Sequence, residues 1–323
     1  MPVPASSRHV IRSAFTDVFK THLPLCIPPM KDISGPRHVA AAVNCGTLAF
    51  LGENGYGENV RQQQKRLQEA QQLALMKLNE RKQPTNEGSF LDHQVGVLQR
   101  LGVGHVVEGP QSKKVISYDT FLSSLIDKRP GNIWLTFTSS DNIAPTIDNL
   151  RKRMLKSHLL ISIFAEVTNA NDALLAANAG ADVLVLRDNR SESLESSRER
   201  LKDLYTSTNK LLHEKHFGHS SQGLSRPLLL AAGKLRTGED LMWSLHEGYD
   251  GAAIGSRFFL TEESGLSDDI KSEEGKKPLA HGMHTEMERE GQDVQAIIDD
   301  IWNEALGNTS GKNERSTRQA GYE

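Results

Sequence analysis

Two glycine-containing turns, about 20 residues apart, carry the clearest chemical signal in the sequence. One apolar run ends in Ala232-Gly233-Lys234, and the next one ends in Gly255-Ser256. Glycine lets the backbone approach a ligand closely, so that N–H groups can point at an anion, and the Ser256 hydroxyl adds a donor. The pair predicts a phosphate-binding cradle. The alternative is that Gly233 and Gly255 only make tight turns.

The chain alternates predicted strands with predicted helices. Eight short apolar runs bounded by glycine, proline or asparagine indicate buried parallel strands. The runs are Leu25–Pro29, Thr47–Leu51, Val103–Val107, Ile133–Phe137, Leu159–Ala165, Val183–Leu186, Leu228–Ala232 and Gly251–Ile254. Helical patterns cover Asn59–Leu78, Ala170–Ala179, Ser193–His213 and Gly238–Glu247, and Thr237 caps the last of these with Asp240 three residues further on.

This alternation predicts the α/β class and, within it, a (β/α)8 TIM barrel with a polar C-terminal extension. An open doubly wound sheet would more often place its glycine-rich turn after the first strand. The barrel is expected over residues 1–264. The extension, 265–323, is expected to carry one amphipathic helix, Val294–Ala305, and a disordered tail after Leu306.

Two other segments are predicted to be irregular. Residues 82–88 are polar and turn-rich, and the glycine-rich residues 52–57 do not fit a dinucleotide-binding pattern, so both are expected to be loops. The first sixteen residues contain Arg8 and Arg12 but no acid, which faintly resembles an organelle presequence. The plainer interpretation is a loose tail before the first strand.

Composition excludes several classes of protein. The net charge of −3 and the lack of long single-sign blocks argue against a nucleic-acid tail or a polybasic membrane anchor. No apolar run approaches the ~18 residues that span a bilayer. The two cysteines cannot form a disulfide framework or a zinc cluster by themselves. The expectation is a cytoplasmic globular protein that binds neither membrane nor nucleic acid and holds no metal.

The cradle region also carries a family resemblance. Residues 229–264, LLAAGKLRTGEDLMWSLHEGYDGAAIGSRFFLTEES, resemble the flavin-phosphate segment of the nitronate monooxygenase (2-nitropropane dioxygenase-like) family. That segment typically reads AAGGI-x-x-G, then a helix, then GADGV-x-x-GTRF-x-x-T-x-ES. Pro24–Met30 resembles the family's first strand, which ends in Ala-Pro-Met, and the colinear likeness covers about residues 15–264.

The resemblance implies a barrel that binds FMN. By position, Pro29 and Met30 would lie under the flavin ring. The phosphate would be contacted by Ala232, Gly233 and Lys234 from one side and by Gly255 and Ser256 from the other. The implied activity is oxidation of a nitronate, or of a related carbanion-like substrate, by O2. The implied partners are therefore a small-molecule substrate and O2.

The sequence departs from the family after strand six. The family usually continues into Q-G-x-E-A-G-G-H, whose histidine is the base for a nitroalkane, whereas this chain reads Arg187-Asp188-Asn189-Arg190-Ser191. A general base needs reach and a suitable pKa, so we expect a preformed nitronate to be preferred over a neutral nitroalkane. Other possibilities are a specialised flavin oxidoreductase of a biosynthetic (secondary-metabolite) pathway, a catalytically impaired flavin-binding barrel, and a flavin-free lyase or isomerase.

Three residues are candidate catalytic groups. His105 in the third strand could face the barrel mouth as a base or donor, or it could be a core histidine. Arg187 and Asp188 could bind an anionic substrate or pair with each other. Beside them, Glu166 could face the mouth or simply precede the next helix.

Two further features of the sequence have open interpretations. Lys234 replaces the second glycine of the family's AGG, and it could serve the phosphate through its N–H or disfavour a required positive φ. His213, His216 and His219 precede the seventh strand, so they are expected in a solvated loop near the opposite end of the barrel.

Overall fold

The parallel strands close into one barrel. A computed structural model describes residues 10–52, 60–80, 87–108, 128–213, 225–266 and 292–307. The eight strands of this barrel lie in sequence order, and β1 pairs with β8 to close it. They are β1 (Leu25–Ile27), β2 (Leu48–Leu51), β3 (Leu101–Val107), β4 (Asn132–Phe137), β5 (Ser162–Val167), β6 (Val183–Arg187), β7 (Leu228–Ala232) and β8 (Gly251–Ala253). The predicted (β/α)8 barrel is confirmed.

Helices connect the strands and cover the outside of the barrel. Those in the described ranges are α1 (Ala14–Phe19), α2 (Pro36–Asn44), α3 (Val60–Glu80), α4 (Glu87–Gln99), α5 (Ile143–Lys156), α6 (Ala170–Asn178), α7 (Leu194–His213), α8 (Gly238–His246) and α9 (Val294–Ala305). The predicted cap of α8 is confirmed, because the Thr237 side chain accepts from the Asp240 N–H while the Asp240 carboxylate accepts from the Thr237 N–H. None of these helices is both long enough and apolar enough to cross a membrane.

The start of the described chain is a helix where a loose tail was expected. Ser13 caps α1, and Phe15 and Phe19 stand four residues apart, so both face the same side of the helix. Both rings are buried, and the Phe19 ring lies 5.4 Å from the Phe164 ring inside the barrel. The tail prediction was wrong for residues 14–16, because α1 begins at Ala14 and its apolar face closes the amino-terminal end of the barrel.

Some boundaries also differ from expectation. β5 begins at Ser162 rather than Leu159, because a left-handed residue, His158, follows α5 and Leu160 is exposed. Residues 87 and 88, expected in a loop, belong to α4. The remaining predicted loop residues, 82–86 and 53–57, lie outside the described residues.

Aromatic side chains fill the barrel interior. Phe50, Trp134 and Phe164 contact one another with ring centroids 4.9 to 5.9 Å apart. A Cβ on Gly102 would lie 2.3 Å from the Phe50 ring, so β3 has no room for a side chain there. The solid interior leaves the open mouth at the carboxyl ends of the strands as the place for a ligand.

The C-terminal helix packs onto the barrel. Val294, Ile297 and Ile301 of α9 are buried and join the apolar layer between the strands and the helices. The predicted bounds of this helix are confirmed. The division of the chain at residue 264 stays a prediction, and residues 267–291 and 308–323 lie outside the described ranges.

Two similar segments lead into β6 and β8. Gly180 and Gly248 have φ values of +100° and +101°. Asp182 and Asp250 follow two residues later, and each carboxylate accepts a 2.8 Å hydrogen bond from a backbone N–H of the preceding strand. Glycine is therefore required at both turns so that each aspartate can reach the neighbouring strand.

The two glycines provide a matched stability test. We expect Gly248→Ala to lower the free energy of unfolding by roughly 3 kcal/mol, because the new Cβ is strained at positive φ and crowds a neighbour. That Cβ would lie 2.4 Å from the Tyr205 hydroxyl, whereas a Cβ at Gly180 meets Arg151 at 3.4 Å. Gly180→Ala should therefore cost about 1 kcal/mol less, since only the strain remains. Urea unfolding followed by circular dichroism measures both, and equal losses would contradict the steric part of this explanation.

Candidate functional site

The two predicted cradle turns are neighbours in space. Ala232 at the end of β7 pairs with Ala253 near the end of β8. The turns that follow these residues therefore leave the barrel side by side at its carboxyl end. Gly233 is exposed at this end, and Gly255 is half-buried. The structure thus places the two turns side by side, as the sequence predicts.

The loop after β1 folds over the mouth and meets the cradle. A Cβ on Gly255 would lie 3.0 Å from Pro28 Cγ and 3.1 Å from Met30 Sδ. A Cβ on Gly104 of β3 would lie 2.1 Å from Pro29 Cβ. The absence of side chains at these two glycines lets Pro29 and Met30 lie at the mouth. The residues expected beneath a flavin ring are therefore next to the expected phosphate turn.

The turn after β7 packs closely against α7. A Cβ on Gly233 would lie 2.9 Å from the buried Ser197 hydroxyl, so glycine keeps this turn close to α7. Lys234 is not among the described residues with a positive φ, so its Cβ causes no strain there. The replacement of the family's second glycine is compatible with the turn, and the residues present fit a phosphate-bearing ligand.

An ion pair lies at the mouth on the side of β4, β5 and β6. The Arg187 guanidinium donates from Nη1 to Glu166 Oε1 at 2.6 Å, and Trp134 donates from Nε1 to Glu166 Oε2 at 3.1 Å. The side chain of Glu166 is 10% exposed and that of Arg187 is 48% exposed. Glu166 thus holds a half-exposed cation at the mouth, where it can meet an anionic substrate.

Asp188 faces a different direction from Arg187. Its backbone N–H donates to the Ala232 carbonyl at 2.9 Å, and its carboxylate accepts from the Arg190 N–H at 3.1 Å. Burial alone would raise the pKa of Asp188, but the Arg190 N–H and the neighbouring hydroxyls of Ser191 and Ser197 outweigh it and hold that pKa below its usual value. Asp188 is therefore an ionised group that shapes the loop beside Gly233. Of the two alternatives for Arg187, pairing with Asp188 is not the one observed.

The structure does not bring His105 to this ion pair. Side chains alternate along β3, so His105 lies on the same face as Val103 and Val107, which pack in the layer between strands and helices. Gly104, on the opposite face, is the residue that meets Pro29. The catalytic role expected of His105 stays a prediction.

Sequence reasoning missed the part played by Trp134. The indole lies in the barrel interior and fixes one oxygen of Glu166, although Trp134 and Glu166 stand on different strands. The only signal was an acid in the otherwise apolar run of β5. Which donor would reach that acid depends on strand register, which the sequence does not reveal.

Metal ligation has no support in the described parts of the chain. No group of histidine, cysteine, aspartate and glutamate side chains there could hold a metal ion. His213 is the last residue of α7, on the side of the barrel opposite the mouth, and His216 and His219 lie outside the described residues.

Comparisons with known proteins agree with this fold. The model of the nitronate monooxygenase family matches residues 12–310. FabK from Thermotoga maritima superposes with a TM-score of 0.62 at 14% identity, covering 92% of this chain and 97% of that one. A nitroalkane oxidase from Streptomyces ansochromogenes gives 0.61 at 17% identity, covering 92% and 99%. The enoyl reductase domain of MlnA from Bacillus amyloliquefaciens gives 0.56 at 15% identity, covering 82% and 60%.

At these identities the structural likeness shows the fold alone. No curated protein matches the sequence significantly. The family match spans most of the chain, including both cradle turns and the Glu166–Arg187 pair.

Proposed function

The chain belongs to the nitronate monooxygenase family, and from that premise we propose that it is an FMN-dependent monooxygenase that oxidises a preformed nitronate, or a related carbanion-like substrate, with O2. Family membership makes the protein a flavin oxidoreductase. FMN as the particular flavin and a nitronate as the substrate are the proposal. The observation that carries it is the meeting of the Gly233 turn, the Gly255 turn and the Pro29–Met30 loop at one end of the barrel.

The residues that would hold FMN divide into two groups. Pro29 and Met30 would lie beneath the ring. The phosphate would be held by the backbone of Ala232, Gly233 and Lys234 and by the backbone and hydroxyl of Gly255 and Ser256. FMN, when bound, supplies the electron transfer between substrate and O2.

Arg187 would bind the anionic substrate. Its guanidinium is half-exposed at the mouth and fixed by Glu166, so it can receive negatively charged oxygens without first having to be ordered. Glu166 is a poor choice for a general base, because one of its oxygens accepts from Arg187 and the other from Trp134. Glu166 therefore acts as a positioning residue for Arg187.

This arrangement favours a substrate that has already lost its α-proton. The chain has no histidine at the position after β6 where the family's base stands. The ionised Asp188 is directed toward Ser191 and Ser197 rather than toward the Glu166–Arg187 pair. A nitronate needs no base, so its oxidation is compatible with these side chains.

The decisive measurement compares the two substrate forms. We expect kcat/KM for a nitronate to exceed that for the corresponding neutral nitroalkane by about 100-fold or more, the scale of a missing general base. Purified enzyme reconstituted with FMN would be followed by O2 consumption and by anaerobic bleaching of the flavin absorbance. Comparable turnover of both forms would contradict the proposal about the missing base. Bleaching by NAD(P)H that an enoyl thioester reverses, with no bleaching by a nitronate, would instead indicate a different flavin oxidoreductase.

A further inference from the structure

A buried arginine lies directly beside the phosphate cradle. Arg257 follows Ser256 in a short 3-10 turn, Ser256–Phe258, and its side chain is only 6% exposed. A guanidinium removed from water needs charged or polar partners, because an unpaired buried charge is strongly destabilising. The identity of those partners determines what the arginine connects.

The partners of Arg257 come from distant parts of the chain. Its Nη1 donates to the carbonyl oxygen of Arg236, in the segment between β7 and α8, at 3.2 Å. Its Nη1 and Nη2 donate to the two carboxylate oxygens of Glu304 at 2.9 and 3.0 Å. Asp300 is a weaker partner, 3.6 Å from Nη2 and 46% exposed. Arg257 therefore links the β8 turn to the segment after β7 and to α9.

Glu304 makes a second connection from the same carboxylate. One of its oxygens accepts from the N–H of Gly238, the first residue of α8, at 2.7 Å. The negative charge thus lies at a helix N-terminus, where it is favourable. The two helices touch here, since a Cβ on Gly238 would lie 2.1 Å from the Ile301 carbonyl oxygen. A single side chain of α9 therefore holds the segment after β7 and the turn after β8 at once.

We infer that Glu304, acting through Arg257, is a positioning residue for the phosphate cradle. Its hydrogen bonds set the separation between the Gly233–Lys234 turn and the Gly255–Ser256 turn. Those bonds are made at the phosphate end of the site, not to Pro29 or Met30 at the ring end. The inference rests on the proposed binding of FMN. It assigns α9 a role in cofactor affinity in addition to its packing on the barrel.

Riboflavin, which has the same ring as FMN but no phosphate, provides a specific test. We expect Glu304→Gln to raise the Kd for FMN by about tenfold or more, the scale seen when a residue that orients a ligand-binding group is removed. The Kd for riboflavin should stay within about twofold, because the ring end of the site is unchanged. Titration of the apoprotein with each flavin, followed by flavin fluorescence below the unfolding temperature, measures both constants. Asp300→Asn is the matched control and should leave both values within about twofold.

The outcomes separate a positioning role from a structural one. Equal weakening of FMN and riboflavin would indicate general loosening and would overturn the inference, as would an unchanged Kd for FMN. If Glu304→Gln does not fold, the double variant Arg257→Met with Glu304→Leu, which removes both charges, carries the same expectation. A wild-type protein that fails to bind FMN would overturn the proposed function together with this inference. Normal FMN binding by both the wild type and the variant would overturn the inference alone.

Discussion

Replacement of Gly255 by valine is expected to abolish the retention of FMN, raising its Kd by about 100-fold or more, about 3 kcal/mol. Gly255 has a negative φ of −117°, outside the left-handed region that favours glycine, so the effect would not come from a positive φ. It would come from volume, because the new Cβ would lie 3.0 Å from Pro28 and 3.1 Å from Met30. The branched side chain would push the Pro28–Met30 loop away from the cradle and occupy the space between the loop and the phosphate.

The flavin content of the purified variant, read from the visible spectrum and from titration of the apoprotein, measures this effect. Gly35→Val is a suitable control, because Gly35 lies just beyond the same loop and a Cβ there meets nothing within 4 Å. That control should purify with the wild-type content of flavin. A Gly255→Val protein that retains a full complement of FMN would show that the Gly255 turn is not part of the cradle.

Removal of the guanidinium at position 187 is expected to have the second large effect. Arg187→Met should lower kcat/KM for a nitronate by about 100- to 1,000-fold, the range for loss of one preorganised donor to a substrate oxyanion. Methionine keeps much of the length of the side chain and removes the charge. The FMN content should be unchanged, since Arg187 contacts Glu166 rather than either cradle turn.

The matched control is Arg190→Met. Arg190 is exposed in the loop after β6, and the contact it makes to Asp188 uses its backbone N–H, which the substitution keeps. Its kcat/KM should remain within about twofold of wild type, as expected for a surface charge away from the site. Steady-state kinetics with a nitronate measure kcat and KM for both variants and for the wild type. The separate changes in kcat and in KM show whether Arg187 acts on bound substrate or on the transition state. An Arg187→Met enzyme with wild-type kcat/KM would contradict the assigned role.

Glu166 explains why both sequence hypotheses about Arg187 were incomplete. The predicted barrel already places the ends of β5 and β6 close together. An acidic residue on β5 and a basic residue on β6 can meet only if the register and the pleat direct both side chains to the mouth. The register pairs Glu166 with Val185, two residues before Arg187, and the long guanidinium side chain covers that offset. Asp188, next to Arg187 in sequence, is directed elsewhere for the same reason.

The sequence by itself determined the barrel, the capped helix α8 and the glycine turns that follow β7 and β8. Each of these follows from local properties, namely the periodicity of apolar residues and the conformational freedom of glycine at strand ends. Its colinear motifs also indicated the family. The tertiary structure alone decided that Phe15 and Phe19 close the barrel, that Glu166 rather than Asp188 holds Arg187, and that Glu304 pairs with Arg257. Those contacts join residues from separate elements, and they depend on how strands align and helices pack, which no local pattern in the chain encodes.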